Sequence, residues 1–221
     1  MIEIHSTLTK LNIKQGIYFR QDEIKNEPML FNCDYKSAIE LGGPITKEVL
    51  RQLDANHDFH KILENCVIDT RVHMLMKGWY PCIPGWHHDD VPRERGDGQP
   101  EYINPSYRSK HVMLLMNDSP GDISSTEFAI GKCNLEIPKG IIYETWNRDV
   151  DTLINHDILK KVTVEDNQWY FFDDRSFHRG VAAIRNGWRY FIRVSWDTKR
   201  KATNEVRRQV QVYLDNVNQG W

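Results

Sequence analysis

Two short clusters carry the side chains most suited to chemistry. The first is Trp86-His87-His88-Asp89-Asp90, and the second is Phe177-His178, followed by Arg189, Arg193 and Ser195. In an extended segment residues i and i+2 point to one face, so a His-x-Asp places an imidazole beside a carboxylate. Two such pairs are available, His87 with Asp89 and His88 with Asp90, and the spacing alone leaves both open. A third ligand from His178, about 90 residues on, completes two imidazoles and one carboxylate. That donor set covers one face of an octahedral ion and leaves the other face free. Nitrogen and oxygen donors without thiolate suit Fe(II) better than a closed structural zinc site.

The second cluster adds a cation. Trp188–Ser195 alternates so that Arg189, Phe191, Arg193 and Ser195 share one strand face. A guanidinium there offers a planar fork for a carboxylate, and Ser195 adds a hydroxyl beside Arg193. Arg189 and Arg193 lie eleven and fifteen residues after His178, and either can serve; the neighbouring hydroxyl favours Arg193.

Proximal His-x-Asp, distal His and downstream Arg-x-Ser, in that order on successive strands, resemble the Fe(II)/2-oxoglutarate-dependent dioxygenase superfamily. Members often carry an aromatic residue directly before the proximal His, and Trp86 matches, which favours His87 and Asp89 over His88 and Asp90. The resemblance implies His87, Asp89 and His178 as iron ligands, with Arg193 and Ser195, or Arg189, anchoring the far carboxylate of 2-oxoglutarate. It implies hydroxylation of a small molecule or a peptide side chain, with O2 consumed and succinate and CO2 released. An Asp ligand favours hydroxylation over halogenation, because the halogenating relatives carry a small residue there. Two rival readings are a cupin-like jelly-roll binding protein without chemistry, and a non-haem iron enzyme that does not use 2-oxoglutarate.

The elements that must position these residues read as mainly β with flanking helices. After Cys66, β-branched and apolar runs recur at 67–76, 110–117, 124–130, 158–164, 168–172, 177–184 and 188–196. A helical insert falls near 144–156, and residues 81–108, rich in Pro and Gly, form a long loop of the kind that serves as a lid. Asp34–Leu41, Ile45–Leu53 and Phe59–Cys66 read as helical, and Val206, Val210, Tyr213, Leu214 and Val217 share a helical face. The expectation is a single domain over 1–221: an N-terminal mixed and helical buttress (1–66), a jelly-roll or double-stranded β-helix core (67–197) and a C-terminal helix (198–221).

Composition bounds the rest. Lys and Arg number 29 against 31 Asp and Glu, a net charge of −2, so bulk attraction to nucleic acid or to an anionic membrane is not expected. No run of 18 apolar residues suggests a membrane span, and the first sixteen residues show no basic and apolar leader pattern. Cys33, Cys66, Cys82 and Cys133 are scattered without a C-x-x-C, which fits free thiols in a reducing cytoplasm.

Overall fold

The computed structural model describes residues 1–13, 19–118 and 123–215. Its strands are β1 (Ile2–Ser6), β2 (Thr9–Lys10), β3 (Met29–Phe31), β4 (Val67–Leu75), β5 (Lys110–Asn117), β6 (Thr126–Leu135), β7 (Lys160–Thr163), β8 (Tyr170–Asp173), β9 (Phe177–Gly180), β10 (Gly187–Trp196) and β11 (Glu205–Arg207). The helices are α1 (Gln21–Lys25), α2 (Tyr35–Leu41), α3 (Pro44–Asp54), α4 (His57–Leu63) and α5 (Ile142–Asn155). The fold is mainly β with flanking helices, as the pattern of runs suggests.

Five strands form one sheet in the order β2-β8-β5-β10-β4, with every pairing antiparallel. In a second sheet β6 pairs with β1, β7 and β9. Alternation sorts the side chains of the first sheet. Val112, Leu114, Met116, Tyr190, Ile192 and Val194 face outward and pack under Ile24, Ile45, Val49, Leu50 and Leu53 of α1 and α3. Met113, Leu115, Tyr170 and Phe172 face inward and meet Phe128 of β6. On the far side of β6, Ala129 and Cys133 pack against Tyr143, Trp146 and Val150 of α5. The layers therefore run helices, five-stranded sheet, second sheet, α5, and the inward faces of β4, β5, β8 and β10 look toward β6 and β9.

Helix α3 holds β10 from behind. Its N-terminal residue Gly43 has no side chain to cap with, and Glu27 supplies the missing acceptor: its carboxylate takes the N–H groups of Ile45 and Thr46 at 3.2 and 2.8 Å. A Cβ on Gly43 would sit 2.3 Å from that carboxylate, so glycine is needed there for contact rather than for its backbone angles. Thr46 then shares a buried 2.9 Å hydrogen bond with the Tyr190 hydroxyl of β10.

One expectation is corrected. The tail forms no helix within its described residues. Glu205–Arg207 instead pairs with β3, and Tyr213 bridges Tyr80 through both backbone bonds. The helical spacing of apolar residues had no face to bury, since Val206 and Leu214 are exposed, whereas the edge of β3 offered backbone partners. Val217 lies outside the described residues. Within residues 1–66, β1 joins the second sheet and β2 edges the first, beside α1 to α4. Among the described residues no helix is long and apolar enough to cross a membrane, and all four cysteines are free.

Replacing Glu27 with Ala should lower stability by about 1–2 kcal/mol, the usual cost of a lost helix cap. Urea denaturation measures it, and an unchanged midpoint would contradict the capping role.

Candidate metal centre and cavity

His87 lies in the long loop, yet it is fixed like a strand residue. Its N–H donates to the His178 carbonyl at 3.0 Å and the His178 N–H returns the bond at 3.1 Å, so the two residues face each other across a two-residue ladder. Their rings lie 4.4 Å apart. Each Nδ1 meets a backbone carbonyl two residues back, that of Gly85 at 2.8 Å and that of Ser176 at 2.9 Å. A carbonyl only accepts, so both Nδ1 atoms carry the proton and both Nε2 atoms present a lone pair. Asp89 Oδ2 stands 3.3 Å from His178 Nε2. Two lone pairs at that distance call for a cation between them, either a proton or a metal ion. One ligand atom each from His87, Asp89 and His178 can be drawn within 4.8 Å of the others, and the carbonyl-fixed tautomers make this donor set fit a divalent ion of iron's type.

His88 and Asp90 point elsewhere. His88 stacks on Phe177 at 4.0 Å beneath α5, with its Nδ1 on the Tyr102 hydroxyl at 2.7 Å. Asp90 takes a left-handed φ of 52°, which ends the extended run, and accepts from the Tyr107 hydroxyl at 3.2 Å. Trp86 anchors the loop to α5: Asn147 bonds both its N–H and its carbonyl, and its indole N–H donates to Asp151 at 2.8 Å.

The three polar candidates on β10 have separate fates. Arg193 spans two carboxylates, Asp89 by one nitrogen and Asp69 of β4 at 3.0 Å by the other. Asp69 is also bonded by Arg200 at 2.7 Å. Burial alone would raise the Asp89 carboxyl, but Arg193 and His178 outweigh it and hold it well below the ordinary range. Ser195 is bonded to the buried His111 at 2.8 Å, and the other His111 nitrogen reaches Ser109 at 3.1 Å. The expected pairing of Arg193 with Ser195 as one anion grip is therefore corrected, since each is committed to a different protein partner. Arg189 is 2% exposed, yet among the described residues no carboxylate lies within ion-pair distance of it. One of its nitrogens reaches the Thr126 hydroxyl at 3.3 Å, its Nε has no partner, and burial pulls its pKa down to about 10.

His87, Asp89, His178, Arg193, Thr126 and Arg189 line one cavity of about 250 Å³. The β4–β10 register sets its order: Asp69 opposite Arg193, then Arg71 opposite Phe191, then His73 opposite Arg189. His87, Asp89 and His178 sit at the first end, and Phe172, Met113 and Phe191 supply apolar wall. Gly180 of β9 lets the loop close the side, since a Cβ there would lie 2.7 Å from the Cys82 carbonyl. Arg71, His73, His111 and Thr126 were not singled out from sequence. The signal for Arg71 and His73 was present, because Asp69-x-Arg71-x-His73 places three polar residues in succession on one face of β4.

No protein-family model matches the chain, and no curated protein sequence matches it. Among solved structures, HygX from Streptomyces hygroscopicus with iron bound is 10% identical, covering 90% of this chain and 82% of that one at a TM-score of 0.38. The non-heme monooxygenase ThoJ, as a nickel complex, is 10% identical over 90% and 75% at 0.37. An N-substituted L-amino acid dioxygenase from Burkholderia ambifaria AMMD, in complex with alpha-KG, is 11% identical over 73% of this chain and 64% of that one at 0.38. This chain thus spans less than two thirds of that dioxygenase. Likeness of this size carries no functional assignment, which has to come from the site.

Two outcomes are expected. Variants His87→Ala, Asp89→Ala and His178→Ala should each lose bound metal, whereas His88→Ala should keep it, as measured by elemental analysis on protein checked by circular dichroism. Full metal in a folded His87→Ala protein would contradict the geometry. The second outcome concerns acid stability. Burial, with Arg189 near one and Arg193 near the other, lowers His73 and His111 to about 3. Both rings stay neutral in the fold, whereas unfolded histidines protonate below about pH 6.5. The unfolded state takes up more protons, so metal-free protein should lose up to ~1.4 kcal/mol per pH unit for each ring between pH 6.5 and 4. Urea midpoints that stay flat across that range would contradict it.

Proposed function

We propose that this protein is an Fe(II)- and 2-oxoglutarate-dependent dioxygenase whose two sheets form a double-stranded β-helix. The observation that carries this reading is one cavity with a two-His, one-Asp donor set at one end and an unpaired, buried guanidinium, Arg189, at the other. Asp166 acts on Arg189 only from beyond ion-pair distance, and a buried cation with no carboxylate in contact is costly, so its retention in a cavity points to an anionic ligand. A five-carbon diacid that chelates iron through its keto-acid end needs such a cation for its other carboxylate.

In this reading His87, Asp89 and His178 hold the iron through atoms already turned to one point. Arg189 and the Thr126 hydroxyl receive the distal carboxylate of 2-oxoglutarate. Arg193, first favoured for that task, is held by Asp89 and Asp69. It orients the Asp89 carboxylate instead. Phe172, Met113 and Phe191 keep the path between the two ends dry, which strengthens every charge interaction inside. When bound, iron with 2-oxoglutarate and O2 supplies the oxidation: one oxygen atom ends in succinate as CO2 leaves, and the other enters a substrate C–H bond as hydroxyl. The prime substrate is a small molecule or a peptide side chain.

Fe(II)-loaded protein should convert 2-oxoglutarate to succinate slowly even without prime substrate. Arg189→Ala should weaken 2-oxoglutarate binding at least tenfold while metal binding stays intact, since a charge-assisted pair is worth roughly 1.5–3 kcal/mol. Succinate no higher than in a metal-free control would overturn the proposal. A metal-loaded, folded Arg189→Ala protein that binds 2-oxoglutarate normally would overturn the assignment of the anchor.

A further inference from the structure

Arg189 is not alone in lacking a carboxylate in ion-pair contact. Arg71 of β4 lines the same cavity, opposite Phe191 and midway between the donor set and Arg189. Among the described residues it has no hydrogen bond and no carboxylate within ion-pair distance. The nearest acid on its own strand face, Asp69, is already shared by Arg193 and Arg200. Beside Arg71 on that face is His73, 1% exposed, whose ring nitrogens both lack a hydrogen-bond partner. Gln211 and Tyr213 close over this side, held there by the two backbone bonds between Tyr213 and Tyr80.

The charges around the cavity do not balance once it is loaded as proposed above. Arg71, Arg189, Arg193, Arg200 and a divalent ion bring six positive charges, while Asp69, Asp89, Asp166 beyond Arg189 and dianionic 2-oxoglutarate bring five negative ones. The excess sits where no protein carboxylate reaches, at Arg71. A planar guanidinium with a free fork matches a carboxylate.

Resting on the dioxygenase reading, we infer that Arg71, with His73 and Gln211 beside it, receives the carboxylate of the prime substrate, which is therefore a small carboxylic acid. The acid group docks at β4, and the rest of the molecule lies along Phe191 and Ile83 toward the face of the metal that the protein leaves free.

The test uses full-length protein loaded with Co(II) and 2-oxoglutarate under anaerobic conditions, with hexanoate and its uncharged analogue hexanamide as probes in calorimetric titrations. Hexanoate should bind at least tenfold more tightly than hexanamide. Arg71→Gln should abolish that preference and leave 2-oxoglutarate affinity within twofold, and Arg71→Lys, which keeps the charge but loses the fork, should retain part of the preference. Circular dichroism checks that both variants are folded. Equal binding of the two probes, or an unchanged preference in folded Arg71→Gln, would overturn the inference. A tenfold loss of 2-oxoglutarate affinity in Arg71→Gln would also overturn it, by placing Arg71 in the grip on the co-substrate. If the wild type takes up Co(II) but no 2-oxoglutarate, the dioxygenase reading itself falls, and this inference with it.

Discussion

The guanidinium of Arg193, fixed between Asp89 and Asp69, is the interaction on which the site depends. It ties three separate pieces together: β10, β4 and the loop that carries the donor residues. That loop has no regular structure over most of its length, so its geometry must be imposed from outside. The ladder between His87 and His178 sets the height of the first imidazole, Trp86 locks the preceding residue to α5, and Arg193 sets the carboxylate. Removing one partner of a buried ion pair strands the other, at about 3–5 kcal/mol, so these contacts hold the site as one unit.

Electrostatics divide the cavity along its length. At the donor end burial, with His178 close by, pushes His87 down to about 4. The carboxylate there is held ionised by Arg193. At the other end the guanidinium groups of Arg71 and Arg189 act on each other with no carboxylate in ion-pair contact with either. A metal ion suits the first end and anions suit the second. Phe172 and Phe191 supply apolar wall in the same cavity. The fold supports this division from behind, because Tyr190 and Ile192 of β10 are buried under α3 while Arg189, Phe191 and Arg193 face inward.

Much of this was legible in the sequence, for local reasons. The runs at 67–76, 110–117 and 188–196 carry enough β-branched and apolar residues to read as strands, and they are β4, β5 and β10 to within a residue or so at each end. Spacing left two parities open for His-x-Asp, and it was the family resemblance, through Trp86, that favoured His87 and Asp89, which the structure brings together with His178. Choosing between Arg189 and Arg193 was not a local question. Alternation puts both on one face, and what separates them is Asp69, which lies far away in sequence and is brought opposite Arg193 by the β4–β10 register. The tail failed for the same kind of reason: spacing describes which residues align, not whether a surface awaits them, and the edge of β3 is visible only in three dimensions.

The most direct measurement is an anaerobic titration of the purified protein with Fe(II) and then with 2-oxoglutarate, followed by visible absorption. The account predicts one iron per chain and, on adding 2-oxoglutarate, the weak charge-transfer band of a keto acid chelated to Fe(II), saturating at one equivalent. Iron that binds at His87, Asp89 and His178 but develops no band at saturating 2-oxoglutarate would contradict it.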